Sequence, residues 1–239
     1  MSIKAVLFDL DGTLLPMDLK TFQMTSGRLF CEKMAAHGYD PEKLGEAQWS
    51  GIHAMCANDG SKTNEAAYFE RMLEIYGPEL EKDIPLFYEY YEKEFDKVKE
   101  VCGFNPKSGP AVQKVKDMGY RLVMATNAWF TRAGIEARLR WAGVDSSLFE
   151  FMTLMENSHF CKPKQGYYKE ILQKLNLPAE ECLMVGNDVQ EDMVAAELGM
   201  KVFLMTDDLI NRDGRDVSHI PQGGFEELFE YLQTMKEGR

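Results

Sequence analysis

The sequence predicts an α/β fold in which a doubly wound parallel sheet carries an inserted all-helical segment. Short apolar runs alternate with stretches of helical periodicity from about residue 106 onward, a pattern typical of parallel sheets with helices on both faces. Between about residues 18 and 100 the periodicity is helical throughout. We therefore predict a core formed by residues 1–15 and 106–239, and a helical insert formed by residues 16–105.

The segment Lys4–Leu15 organises the predicted core. Its first half is an unbroken apolar run that indicates a buried strand. Asp9 and Asp11 follow directly, and Gly12 permits a sharp turn after them. Ligands bind beyond the carboxyl ends of strands in open α/β sheets. Since paired acids at such a place can bind a cation, attack an electrophile and move a proton, we interpret this pair as functional rather than as a simple turn.

The helical insert is predicted to contain four helices. They cover roughly residues 19–37, 42–56, 64–76 and 80–99, and Gly- and Pro-containing breaks separate them. The last helix carries a series of aromatic residues, which we interpret as an apolar packing face rather than a cofactor site: Phe87, Tyr88, Tyr90, Tyr91 and Phe95.

Four further strands are predicted after the insert. They are Arg121–Ala125, Phe151–Met155, Glu181–Val185 and Lys201–Met205. Predicted helices precede, separate or follow these strands, over Gly109–Met118, Phe130–Gly143, 166–175, Gln190–Leu198 and Phe225–Met235. This alternation favours a Rossmann-like core with all strands parallel.

Composition narrows the class of protein. The 239 residues carry a net charge of −12, which argues against general binding of nucleic acid, because such binding depends on Lys and Arg neutralising phosphates. No apolar run reaches membrane-spanning length and no signal-peptide pattern opens the chain. The five cysteines form no C-x-x-C pair, so reduced thiols and a cytoplasmic location are expected.

Four polar clusters follow predicted strands or loops. They are Asp9 with Asp11, Thr126 with Asn127, Lys162 alone, and Asp188 with Asp192. The carboxyl ends of parallel strands share one edge, so these groups can converge there. Acids, a hydroxyl, an amide and a cation form the set expected for moving a phosphoryl group through an aspartyl-phosphate.

In these motifs the sequence resembles the haloacid dehalogenase-like (HAD) hydrolase superfamily. The matching pieces, in the family's order, are Phe8-Asp9-Leu10-Asp11-Gly12-Thr13, Ala125-Thr126-Asn127, Cys161-Lys162-Pro163, and Gly186-Asn187-Asp188 with Asp192. The helical insert lies between the first and second motifs, which resembles the family's C1-type cap. Such a cap closes over the site, with hinges expected near Leu15–Asp18 and Phe104–Pro106.

The resemblance implies a role for each matching residue. Asp9 would be the nucleophile, and Asp11 would be the acid that protonates the leaving group and the base that then activates water. Lys162 would neutralise charge on Asp9 and on the transferring phosphoryl group, which Thr126 and Asn127 would hold.

The resemblance also implies a magnesium site. The side chains of Asp9 and Asp188 and the backbone carbonyl of Asp11 would bind Mg²⁺. Asp192 would orient Lys162 or a metal-bound water without being a principal ligand. Many relatives carry an acid directly after the glycine, where this chain has Asn187, so either Asn187 or Asp188 could face the metal.

Individually, several of these residues have simpler interpretations. Thr126 and Asn127 could cap the following helix. Lys162 could be a solvated lysine before a proline, and Asp188 could be a helix cap beside an exposed Asp192. The loop Asn58–Lys62 could touch substrate, although a plain turn between helices fits it better.

The expected activity is Mg²⁺-dependent hydrolysis of a small phosphorylated metabolite. A phosphomutase of the β-phosphoglucomutase kind shares the same motifs, and Asp11 counts against a dehalogenase. From other classes, a receiver-like phosphoacceptor or a non-catalytic binding protein remains open. The substrate and the oligomeric state, monomer or dimer, are not predicted.

Overall fold

The structure of the protein, a computed structural model, describes residues 2–237. Met1 and residues 238–239, at the ends of the predicted core, lie outside the described residues. The core contains a six-stranded sheet in the order β3-β2-β1-β4-β5-β6, in which all paired neighbours are parallel. The strands are β1 (Ala5–Phe8), β2 (Arg121–Met124), β3 (Phe151–Met152), β4 (Cys182–Gly186), β5 (Lys201–Met205) and β6 (Gln222–Gly223).

Eight α-helices surround or extend this sheet within the described residues. They are α1 (Leu19–Ala35), α2 (Pro41–Ala57), α3 (Asn64–Tyr76), α4 (Ile84–Lys93), α5 (Ser108–Asp117), α6 (Arg132–Trp141), α7 (Gln165–Leu175) and α8 (Phe225–Glu237). Short 3₁₀ helices cover Pro78–Asp83, Phe95–Val101, Ser146–Leu148, Ala179–Glu181 and Met193–Leu198. Only helical elements lie between β1 and β2, which confirms the predicted fold class of a parallel core with an all-helical insert.

The position of β1 explains how the site is assembled. β1 lies between β2 and β4, and Phe8 is paired with Met124 on one side and Val185 on the other. The residues that follow these three strands therefore start side by side at one edge of the sheet. The strand is fully buried, as its apolar run predicts.

Two boundary predictions were wrong and one strand was missed, each for a local reason. The helix predicted over residues 80–99 is instead α4 with a 3₁₀ helix on each side. Pro85 lies in the first turn of α4, because a residue without an N–H fits a helix start better than a helix interior. The third strand ends at Met152, after which the Thr153 hydroxyl bonds the carbonyls of Met124 and Thr126. Strand β6, with two residues, is too short to show periodicity and was not predicted.

The helix predicted over Gln190–Leu198 was also wrong. Only Met193–Leu198 is helical, and it is a 3₁₀ helix. Before it, one carboxylate oxygen of Asp188 accepts the backbone N–H groups of Gln190 and Glu191. Side chains that bond nearby backbone groups compete with a regular helix, and this competition produces a turn between the two aspartates.

The helical insert has an aromatic interior. Phe87, Tyr90 and Phe95 are buried, and Phe30 of α1 lies edge-on to Phe87 and Tyr90 with ring centroids 4.9 and 5.3 Å apart. Edge-to-face contacts at such distances are the favoured geometry of aromatic pairs. The predicted packing face therefore lies inside the insert.

The insert is seated on the carboxyl edge of the sheet. At the start of α3, the fully buried Asn64 donates its amide to the carbonyls of Ala128 (3.2 Å) and Phe160 (3.3 Å) of the core. The two connecting segments run together, since the N–H of Gly103 donates to the carbonyl of Pro16 at 2.7 Å. The hinges predicted at these connections remain predictions.

Among residues 2–237 there is no helix with the length and apolar character needed to span a membrane.

Candidate active site

A tight turn after β1 directs two carboxylates to the edge of the sheet. The N–H groups of Thr13, Leu14 and Leu15 all donate to the carbonyl of Leu10. Gly12 has φ of 81°, and a Cβ there would lie 2.3 Å from the Asn187 side-chain nitrogen. Only glycine fits both the conformation and the space, so this turn holds Asp9 and Asp11 against the segment that follows β4.

Lys162 lies between two of the predicted acids. Its Nζ donates to Asp9 Oδ1 at 2.8 Å and to Asp192 Oδ1 at 2.7 Å. Burial alone would lower the pKa of Lys162, but the two carboxylates hold it well above its ordinary value. Burial raises the pKa of Asp192, with the ammonium of Lys162 opposing this effect. The interpretation of Lys162 as a solvated surface lysine is therefore wrong, because the side chain is 1% exposed.

A cavity of the core, here called the catalytic cavity, collects the remaining predicted residues. It has a volume of about 50 Å³ and lies beneath α1 of the insert. Its polar wall consists of Asp9, Asp11, Gln23, Thr126, Asn127, Asn187, Asp188, Glu191 and Asp192. The structure thus brings every predicted site residue to this cavity, except Lys162, which contacts two of its wall residues from behind.

Thr126 and Asn127 do not cap the next helix. Thr131 caps α6, since its hydroxyl accepts the N–H of Gly134 at 3.3 Å. The side-chain amide of Asn127 is already used within the protein, because it donates to Glu191 at 3.2 Å and accepts the N–H of Lys162 at 3.3 Å. A role for Asn127 in binding phosphate would therefore fall to its backbone N–H.

The structure separates the roles of Asn187 and Asp188. The amide of Asn187 accepts the hydroxyl of Thr13 at 3.0 Å and donates to the carbonyl of Asp208 at 2.6 Å. Both of its polar ends are thus occupied, the oxygen by the turn after β1 and the nitrogen by the segment after β5. Asp188 retains the carboxylate that a metal ligand requires.

Arg212 contacts that carboxylate. Its two terminal nitrogens lie 2.9 Å from Asp188 Oδ1 and 2.6 Å from Asp188 Oδ2. Arg212 belongs to the polar segment after β5, and nothing in the sequence pattern distinguishes it from the neighbouring Arg215. Sequence reasoning therefore missed it.

Asp11 has a partner that sequence reasoning also missed. Nη1 of Arg138, a fully buried residue of α6, donates to Asp11 Oδ2. The guanidinium also lies over the ring of Phe130, 4.1 Å from its centroid. Burial raises the pKa of Asp11, with Arg138 opposing. A signal for Arg138 existed, since it is spaced three residues from Ile135 and four from Ala142 on the apolar stripe of its helix.

Glu191 is a further acid that the motifs did not single out. It lines the catalytic cavity between Asp188 and Asp192 in sequence. Burial raises its pKa to about 7. The sequence could have pointed to Glu191, because it lies between Asp188 and Asp192, which belong to the family motif.

The chemistry of these donors fits a hard divalent cation, although they are not gathered around one point. Carboxylate oxygens are the ligands that Mg²⁺ prefers, and Asp9, Asp188, Glu191 and Asp192 supply them to one cavity. Within residues 2–237, however, no three Asp, Glu, His or Cys side chains are arranged to hold a metal ion. Arg212 engages both oxygens of Asp188, so metal binding there requires that this pair open.

Comparisons with known proteins agree with this geometry. The model of the haloacid dehalogenase-like hydrolase family matches residues 3–199. A glyceraldehyde 3-phosphate phosphatase from Pyrococcus abyssi is 27% identical over 202 residues, covering 83% of this chain and 79% of the relative. A D-glycero-β-D-manno-heptose-1,7-bisphosphate 7-phosphatase from Haemophilus ducreyi is 25% identical over 151 residues, covering 52% of this chain and 81% of the relative.

Two solved structures share the fold. A 2-haloacid dehalogenase from Pseudomonas syringae pv. Tomato has a TM-score of 0.63 at 18% identity, covering 97% of this chain and 99% of that structure. A HAD-hydrolase from Bacillus subtilis, solved bound to magnesium, has a TM-score of 0.53 at 18% identity, covering 97% of this chain and 99% of that structure. Because the family model spans most of the sequence and the predicted motifs lie within it, this chain belongs to the haloacid dehalogenase-like hydrolases.

Proposed function

We propose that the protein is a Mg²⁺-dependent phosphatase that hydrolyses a small phosphorylated metabolite through an aspartyl-phosphate on Asp9. The observation that carries the proposal is the placement of Asp9 in a cavity wall, with one oxygen on the buried Lys162 and with Asp11 in the same wall. The names of the two phosphatase relatives support the same reaction class.

In the first half-reaction, a carboxylate oxygen of Asp9 attacks phosphorus in line with the ester oxygen. The phosphorus–oxygen bond of the ester breaks, and Asp11 donates its proton to the departing alkoxide. In the second half-reaction, Asp11 takes a proton from water as that water attacks the aspartyl-phosphate, which releases inorganic phosphate and regenerates Asp9. A carboxyl whose pKa is raised by burial, as that of Asp11 is, suits both proton transfers.

The other site residues stabilise charge or orient these two acids. Lys162 stays protonated beside Asp9 and offsets the charge of the transferring group. Thr126 and the backbone N–H of Asn127 are proposed to donate to the phosphoryl oxygens. Arg138 orients Asp11 through its ion pair, and Asp192 orients Lys162.

The proposed Mg²⁺ ligands are the side chains of Asp9 and Asp188 and the carbonyl of Asp11. When bound, the ion would offset negative charge on the phosphoryl group. The B. subtilis HAD-hydrolase solved with magnesium supports this choice of metal.

The proposed compartment is the cytoplasm, which the free state of the five cysteines supports.

The test is release of inorganic phosphate from p-nitrophenyl phosphate in the presence of Mg²⁺. We expect steady turnover by the wild type and a loss on the order of 10³-fold or more in Asp9→Asn, because the nucleophile is removed. Asp117→Asn, at an exposed position of α5, is the matched control and should keep wild-type activity.

Other outcomes would select other functions. Equal turnover by the wild type and Asp9→Asn would exclude the proposed mechanism. A single equivalent of bound phosphate without steady release would indicate a receiver-like phosphoacceptor. Transfer of the phosphoryl group back to a second hydroxyl of a sugar phosphate, instead of to water, would indicate a phosphomutase.

A further inference from the structure

We propose that the alcohol part of the substrate is apolar, an alkyl or aryl group, and that it binds in an aromatic cavity inside the helical insert. This inference rests on the proposed phosphatase activity and names the chemical class of the ester that the site selects.

The aromatic cavity lies between the helices of the insert and the segment after β2. It has a volume of about 90 Å³. Its wall includes Phe30, Met55, Phe69, Phe87, Trp129 and Phe130. Burial of apolar surface against such rings favours binding of apolar groups over hydrated ones.

The aromatic cavity adjoins the catalytic cavity. Gln23, Trp129 and Phe130 line both. Trp129 and Phe130 follow the proposed phosphate-binding pair by two or three residues, so the wall that begins at the phosphoryl position continues into the insert. An ester with phosphorus at Asp9 can therefore extend its alcohol part past Phe130 into the aromatic cavity.

The polar groups of the aromatic cavity carry no charge and lie among a larger number of apolar side chains and rings. Within the described residues, no Asp, Glu, Lys or Arg lines it. The hydroxyl of Tyr88 donates to Glu65 and is thereby engaged. The indole N–H of Trp129 lies against the sulfurs of Cys56 and Cys161. The remaining polar side chains of the wall are all uncharged: Gln23, Ser26, Gln48, Tyr68, Tyr91 and Thr131. A polyhydroxylated group would place part of its hydroxyls against rings and aliphatic side chains, and each hydroxyl left unpaired there is costly.

The loop Asn58–Lys62 does not contribute to this recognition. It lines neither cavity, and it packs on the core instead: Lys164 donates to the carbonyl of Asn58 at 2.7 Å, and Phe160 contacts Gly60. The alternative in which this loop touches substrate is therefore not supported, and selectivity is assigned to the aromatic wall.

The test uses straight-chain alkyl phosphates from methyl to hexyl, whose leaving groups have nearly equal basicity. We expect kcat/KM of the wild type to rise by about fourfold per methylene until the cavity is filled. We also expect propyl phosphate to exceed glycerol 3-phosphate by at least about tenfold, because the latter adds two hydroxyls to the same chain.

A flat or falling series, or a preference for glycerol 3-phosphate or glyceraldehyde 3-phosphate, would overturn this inference. Turnover of p-nitrophenyl phosphate that depends on Asp9 would still uphold the proposed function in that case. Activity that is independent of Asp9 would overturn the function itself, so the two failures are distinguishable.

A variant that fills part of the aromatic cavity tests the same inference. Gly27 of α1 lines the aromatic cavity, and a Cβ there would have Gln48 Oε1 as its nearest neighbour, at 3.8 Å. Gly27→Leu should reduce the hexyl-to-methyl ratio of kcat/KM at least about tenfold, since its side chain removes space for several methylenes. Gly45→Leu is the control, because Gly45 lies on α2 outside this cavity and a Cβ there meets only Cys31 Sγ, at 3.9 Å.

Both substitutions replace a helical glycine by a better helix former, and thermal unfolding checks that both variants fold. A wild-type ratio in a folded Gly27→Leu variant would overturn the proposal. As a measurement that needs no variant, hexylphosphonate should inhibit the wild type at least about tenfold more strongly than methylphosphonate. Equal inhibition would likewise overturn it.

Discussion

The catalytic cavity and the aromatic cavity meet at Trp129 and Phe130, but different interactions hold the side chains of their walls in place. In the catalytic cavity, ion pairs hold Asp9, Asp11 and Asp188 in place. In the aromatic cavity, rings hold one another, as Tyr68 and Phe69 do with centroids 5.2 Å apart. Under the proposed function the two regions divide the work: core charges fix the reacting groups, and rings of the insert select the alcohol.

We expect the ion pairs to position groups rather than to stabilise the fold. A buried pair often contributes little net stability because both charges lose their hydration, whereas removal of one partner leaves the other charge buried and unpaired. Four ion pairs join wall residues of the catalytic cavity to three cations of graded exposure. Lys162 and Arg138 are buried, and the side chain of Arg212 is 46% exposed. Disrupting them in turn tests whether reaction chemistry and alcohol preference are independent.

Loss of Lys162 should have the largest effect. Lys162→Met removes the cation that contacts Asp9 and Asp192, and we expect kcat to fall on the order of 10³-fold. The hexyl-to-methyl ratio of kcat/KM should stay at its wild-type value, because the aromatic cavity is untouched. Steady-state kinetics on the alkyl phosphate series measures both quantities.

Two further variants keep this experiment interpretable. Lys169→Met, at an exposed position of α7, should leave kcat within about twofold, as expected for a surface change. Lys162→Arg retains the charge and should be more stable to heat than Lys162→Met. A Lys162→Met variant with nearly wild-type kcat would contradict the assigned role, and a changed ratio would show that the two cavities are coupled.

The sequence was most informative where structure is local. The apolar run of β1 and the acids behind it are contiguous, so both the strand and the placement of Asp9 and Asp11 at the sheet edge could be predicted. Lys162 could be predicted only because the family resemblance supplied its partners, since the nearer partner in the sequence, Asp192, is 30 residues away.

The features that could not be predicted are a contact between residues far apart in the sequence and a cavity between helices. Arg138 lies 127 residues from Asp11, and a charged helix residue ordinarily faces solvent. The aromatic series in residues 87–95 was interpreted as packing, which is correct for Tyr90, but Phe87 and Tyr91 also border a cavity. Periodicity identifies the apolar face of a helix and cannot show that a face is left partly unfilled.

Loss of Arg138 should have an intermediate effect that depends on the leaving group. Arg138→Met frees Asp11, whose other oxygen already lacks a hydrogen-bond partner among the described residues. We expect kcat/KM for hexyl phosphate to fall about 100-fold, since an alkoxide must be protonated as it leaves. For p-nitrophenyl phosphate the loss should be less than about tenfold, because nitrophenolate leaves without a proton.

Arg138→Lys keeps a cation near Asp11 and should recover part of the activity on hexyl phosphate. Equal losses on both esters, without recovery by lysine, would assign Arg138 a purely structural role in packing against Phe130. That outcome would also weaken the contrast between the two cavities, because Arg138 would then support the aromatic wall through Phe130 and would have no part in the reaction.

Loss of Arg212 should have the smallest effect, and it should act on metal binding. The guanidinium occupies both oxygens of Asp188, but the pair is partly exposed, and exposed pairs contribute at most about 1 kcal/mol. Arg212→Ala should therefore lower the Mg²⁺ concentration for half-maximal activity by up to about fivefold. Isothermal titration calorimetry with Mg²⁺ alone provides a readout that does not depend on turnover.

Arg215→Ala, which removes a pair between two exposed residues, is the matched control and should leave Mg²⁺ affinity unchanged. Weaker Mg²⁺ binding in Arg212→Ala would show instead that the arginine holds Asp188 in its binding orientation.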